Sequence, residues 1–141
     1  MTDPFAAIFL LDKKKNALVG SGITETVKDC LNPNFTKMFN IDYLFEESQE
    51  IIVQLYHNTG HPVATDFERH ELIGEFRFPL ATLMCAPGQV LSSPLRNAHK
   101  IGVNLGEVEI RSEPIANTRD LFVVEFSAAK LVNKEGFFSK S

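Results

Sequence analysis

Eight or so antiparallel β-strands stacked as a sandwich are encoded by three features of the 141 residues. Apolar segments are short, the longest being the run Phe5–Leu11. Turn-forming residues separate these segments at regular spacing, and no stretch sustains the period of an amphipathic helix. The class is all-β, an eight-stranded antiparallel β-sandwich.

Taken in order, Phe5–Leu11 (FAAIFLL) reads as a buried strand closed by the polar tip Asp12–Asn16. Gly22–Asp29 sets Ile23, Glu25 and Val27 between polar partners, the alternation of a strand with one wet face. In LNPNF (Leu31–Phe35), Pro33 fixes its own φ and restricts Asn32, so the chain turns. Thr36–Phe45 resumes extended structure, and Gln49–His57 (QEIIVQLYH) is the strongest strand, rich in β-branched residues. A long polar loop follows. Glu71–Leu80 (ELIGEFRFPL) is a strand interrupted by Gly74, a sign of a bulge or of close backbone approach. Leu80–Cys85 has room for one helical turn before Ala-Pro-Gly stops it, and Gln89–Leu95, Gly106–Glu113 and Asp120–Leu131 supply three more strands.

Composition narrows the function. With 44% hydrophobic and 23% charged residues the chain suits one soluble domain with a single core. No apolar run approaches the roughly 20 residues that span a bilayer, and MTDPF lacks the basic and apolar regions of a signal peptide. Cys30 and Cys85 are too few for a disulfide framework and lack metal-ligand spacing, so reduced thiols in a cytoplasmic protein are expected. A net charge of −4 argues against nucleic acid as a partner. The basic run Lys13–Lys15 reads as a solvated hairpin tip. No nucleophile elbow, phosphate loop or metalloprotease motif is present, and an enzyme is not expected. Cys30 reads as a partly buried structural cysteine, and His57, His61 and His70 as solvated loop histidines.

Several stretches resemble a C2 domain, with wording closest to the copines: TDPFAAIFLLDKKK, TETVKDCLNPNFTKMFNIDYLFEESQEIIVQLYH and ELIGEF. The run from Thr24 to Tyr56 is the most specific, and the likeness extends over essentially the whole chain. It implies a β-sandwich in which three loops at one end hold calcium and then meet phospholipid. Calcium is a hard cation wanting six to eight oxygens, so clustered carboxylates build its site. Once bound, the ion turns the loop end positive toward anionic headgroups.

Carried over by position, the resemblance places Asp3 at the aspartate of Ser-Asp-Pro in the first loop. In the third loop an Asp-x-Asp pair should follow the strand, with a further acid just before Ile-Gly. Here those positions hold His57, Thr59 and Glu71, while Asp66 and Glu68 lie inside the loop. Histidine and threonine are poor substitutes for carboxylates at a calcium site. The implied ligands are Asp3, Asp66, Glu71 and Glu135, with His57 and Thr59 as degraded positions, so calcium is expected to be held weakly or not at all.

The chain starts at TDPF and ends at EGFFSKS. By resemblance the opening strand is missing from the front, and 121–141 looks like the opening strand of a following C2 domain. Residues 1–141 are thus expected to form one C2 domain, circularly shifted, with the break inside the first calcium loop. Leu121–Ala129 should fill the missing strand's place, within one chain or by exchange in a strand-swapped dimer, because an empty place would uncover Phe9 and Val53. Phe137 and Phe138 would then sit at the tip, either contacting membrane or packed under the loop. The resulting expectation is a cytoplasmic, peripheral membrane protein binding anionic phospholipid. A calcium-independent protein-interaction module on the same scaffold is the alternative.

Overall fold

A computed structural model describes residues 2–42, 47–60, 70–114 and 121–131, without the side chains of 114 and 121–125. Among the described residues eight strands, one short α-helix and a 3-10 turn (Pro87–Gln89) occur, the strands and α-helix in the order β1 (Pro4–Asp12), β2 (Ala17–Ile23), β3 (Asn34–Asp42), β4 (Gln49–His57), β5 (Glu71–Pro79), α1 (Leu80–Cys85), β6 (Val90–Pro94), β7 (Glu107–Pro114) and β8 (Leu121–Ala129). They form two four-stranded antiparallel sheets, ordered β2-β1-β4-β5 and β3-β8-β7-β6.

Alternation along the strands builds the core. Ala6 and Ile8 of β1, with Ile51, Val53 and Leu55 of β4, face Val108 and Ile110 of β7 and Phe126 and Ala128 of β8 in one buried cluster. Leu80 and Leu83 of α1 complete it. The opposite side of β1 is also covered, which explains its continuous apolar run. Phe5, Ala7 and Tyr56 form a second cluster there with Phe9, Ile23 and Leu72. Phe9 therefore belongs outside the sandwich core, correcting its assignment from sequence, whereas Val53 is buried within.

Gly74 meets both expectations placed on it. The β4–β5 register shifts beside it, since Leu55 faces Gly74 and Tyr56 faces Leu72. A Cβ at Gly74 would stand 3.0 Å from Leu95 Cβ and 3.2 Å from Arg96 O. That approach lets Glu75 and Arg96 exchange backbone hydrogen bonds of 2.8 and 3.0 Å, pinning the β6–β7 connection to the edge of β5.

One strand lies elsewhere than the alternation implied. On the side away from β4, β1 pairs with Ala17–Ile23, and Thr24–Asp29 is irregular. Thr24 is held twice to Ala6, its N–H donating to Ala6 O at 2.9 Å and its Oγ1 accepting from Ala6 N at 2.8 Å. The chain then touches β1 and its approach only at intervals, through Val27 N to Pro4 O and Cys30 N to Thr2 O. β8 pairs with both β3 and β7, so Leu121–Ala129 takes an interior place in the second sheet.

Candidate functional site

Strand register assembles one end of the first sheet. His57 at the end of β4 faces Pro4 of β1 on one side and Glu71 of β5 on the other. Asp3, His57 and Glu71 are therefore neighbours in space, and Thr59 continues from β4 two residues on. Asp66, Glu68, Glu135, Phe137, Phe138 and His61 lie outside the described residues. The lysine tip Lys13–Lys15 follows the far end of β1, at the opposite pole of the sheet.

The first and third loops are stitched together through backbone groups. Asp3 N donates to His57 Nδ1 at 3.1 Å, and Asn58 N donates to Asp3 O at 2.9 Å. Asp3 Oδ1 accepts from Asp29 N at 2.8 Å, which draws in the segment after β2. Asn58 Nδ2 donates to Thr26 Oγ1 at 3.0 Å, and Asn58 Oδ1 accepts from Gly60 N at 2.8 Å. The segment before β1 and the β2–β3 and β4–β5 connections thus meet at this pole.

His70 corrects the reading of the loop histidines. It is 5% exposed, its ring meets Phe5 edge-on at 5.1 Å, and its Nδ1 accepts from Thr59 N at 2.9 Å. It anchors the loop that leaves β4 to the one that enters β5. Sequence reasoning also passed over Thr26, Asp29 and Asn58, whose partners are distant in sequence and carry no motif.

Glu25 ties the same end to the second sheet. Its carboxylate accepts from Thr36 N at 2.6 Å, Thr36 Oγ1 at 2.9 Å and Lys37 N at 3.3 Å. Burial alone would push its pKa up, but these bonds, with one from its own backbone, outweigh burial and hold the carboxyl below its ordinary value.

Calcium wants six to eight oxygens, and the candidate oxygens among the described residues already have other partners. Asp3 Oδ1 already accepts a backbone N–H, and the Glu71 carboxylate lies 4.0 Å from the Lys100 ammonium. At the position of an implied acid, His57 presents a nitrogen that already accepts the Asp3 N–H. Among the described residues no three histidine, cysteine, aspartate or glutamate side chains come together to hold a metal. No helix among them is long and apolar enough to cross a membrane.

Among known families, the C2 domain matches residues 1–96. Copine-D of Dictyostelium discoideum is 31% identical over 118 residues, which cover 83% of this chain and 22% of that protein. Copine-B of the same organism is 29% identical over 141 residues, 98% of this chain and 26% of its own length. Nicotinic receptor-associated protein 1 of Caenorhabditis briggsae is 30% identical over 130 residues, 85% of this chain and 20% of that protein. The chain thus spans about a quarter or less of each relative's length.

Proposed function

The chain belongs to the C2 domain family, and on that premise we propose that it binds anionic phospholipid membranes peripherally through the pole built by Asp3, His57 and Glu71, with calcium dependence weakened or lost. One observation carries the reading: the Asp3 N to His57 Nδ1 hydrogen bond at 3.1 Å. It joins the segment before β1 to the end of β4, and it does so with an imidazole where the C2 resemblance leads one to expect a carboxylate. Removing charge from the centre of such a site lowers calcium affinity, because ligand charge count tunes it. Under this reading Asp66 and Glu135 are further ligands, and Phe137 and Phe138 further membrane contacts. The protein acts in the cytoplasm, non-catalytically, at a membrane surface.

Co-sedimentation with vesicles tests it. Binding to phosphatidylserine-containing vesicles, weak with neutral lipid and little changed by calcium or chelator, is expected. Binding that requires micromolar calcium would refute the loss of dependence.

A second reading has one observation of its own. The Caenorhabditis briggsae relative is named for association with a receptor, which favours a protein-interaction module on the same scaffold. No binding to any vesicle, with or without calcium, would favour that reading.

A further inference from the structure

Besides the three loops that the family uses, the β6–β7 connection reaches the same pole. Asn97 Nδ2 donates to Leu72 O at 3.2 Å and to Ile73 O at 3.4 Å, fastening it to the start of β5. Lys100 Nζ lies 4.0 Å from Glu71 Oε2, so the connection stands directly beside the candidate site. Its path is built by local bonds. Asn97 Oδ1 accepts from His99 N at 2.9 Å, and Val103 N donates to Lys100 O at 3.3 Å. Gly102, at φ +82°, supplies the left-handed residue that a turn of this kind demands at its third position.

The turn's second position holds Ile101, which is 88% exposed. Turn tips are ordinarily occupied by Asn, Asp, Ser, Gly or Pro, each for a backbone reason. A β-branched apolar side chain there contributes nothing to the turn. Among the described residues Ile101 is the most exposed large hydrophobic, and Val103 beside it is 41% exposed. The segment's own charges have one sign, and the nearest carboxylates are those of Glu71, 4.0 Å from Lys100, and Glu75 in the groove below. Leu95–Gly106 contains Arg96, His99 and Lys100 and no carboxylate, in a chain whose net charge is −4. A groove of about 640 Å³ runs beneath the turn, between it and Leu72.

We propose that Lys100–Val103 is a fourth membrane-contacting loop, inserting Ile101 at the headgroup–acyl boundary of an anionic bilayer while the exposed Arg96 and, beside Glu71, Lys100 stay at headgroup level. Apolar residues above a cationic collar are complementary to a bilayer with negative headgroups over hydrocarbon. The inference rests on the membrane reading above and names the element that carries it.

The chain contains no tryptophan, so Ile101→Trp gives a protein with a single indole. With phosphatidylserine–phosphatidylcholine vesicles, its emission should shift to the blue and be quenched by brominated acyl chains. Leu18→Trp, at a 56% exposed position on the hairpin of the other pole, should do neither. In parallel, Ile101→Asp should lower vesicle partitioning about tenfold or more with an unchanged circular dichroism spectrum. Wild-type binding combined with an unquenched indole and full binding by Ile101→Asp would overturn the fourth loop and leave the membrane reading standing. Failure of wild-type protein to bind vesicles would overturn both.

Discussion

His70→Ala probes the anchor on which the loop between β4 and β5 depends. The substitution removes an edge-to-face ring pair with Phe5 at 5.1 Å, worth about 0.5–1.5 kcal/mol. It also removes the acceptor for Thr59 N at 2.9 Å, a net loss of about 0.5–1.5 kcal/mol. The void left by a side chain that is 5% exposed adds about 1 kcal/mol. The sum is about 2–4 kcal/mol, and for a domain of this length each kcal/mol lowers Tm by about 3–5 °C. Melting followed by circular dichroism should therefore fall by about 6–20 °C. His70→Phe keeps a ring against Phe5 and deletes only the acceptor, so it should cost about 0.5–1.5 kcal/mol. In both variants the Thr59 amide should exchange with solvent faster than in wild type. A His70→Ala protein melting within about 2 °C of wild type would refute the packing argument. Equal damage from Ala and Phe would assign the cost to the hydrogen bond alone.

Three further outcomes are expected. Calorimetry should give wild-type calcium affinity no tighter than about 10⁻⁴–10⁻³ M, and the double substitution His57→Asp, Thr59→Asp should tighten it; micromolar affinity in wild type would place the ligands elsewhere. The folded-state pKa of Glu25 lies below its unfolded value of about 4.3, so its contribution is present above that pH and lost as pH falls through the folded value. Acid titration should accordingly destabilise wild type more than Glu25→Gln below about pH 4.5, and parallel curves would contradict the assigned hydrogen bonds. Replacing Lys13, Lys14 and Lys15 together by alanine should leave vesicle binding unchanged; at about 1 kcal/mol per surface lysine, lysines that touched the membrane would instead cost more than about a hundredfold.

Local chemistry alone determined a good part of this protein. β-Branched residues and period-2 alternation mark β4, β5 and β7 within a residue or so, because each strand carries its own apolar face. Gly74 announced a bulge and a close approach, since no other residue leaves room for the Leu95–Arg96 backbone. That histidine and threonine stand at 57 and 59, where the C2 resemblance implies acids, was also legible, as residue identity is read without knowing any neighbour.

Tertiary structure decided what depends on partners. Ala17–Ile23 contains two glycines and a serine and has little strand preference of its own, so pairing with β1 makes it β2. Thr24–Asp29 alternates well but is bent away, because Asp29 N is needed by Asp3 and Glu25 by Thr36. The burial of His70 rests on Phe5, 65 positions earlier in sequence. Asp3 meets His57 across 54 positions only because β1 and β4 lie side by side. Ile101 in sequence is one more apolar residue near a glycine. It became conspicuous only once Gly74 had docked its loop against β5 and left the turn standing in solvent at the pole where the other loops converge, because exposure belongs to the folded surface and is not encoded by any single residue.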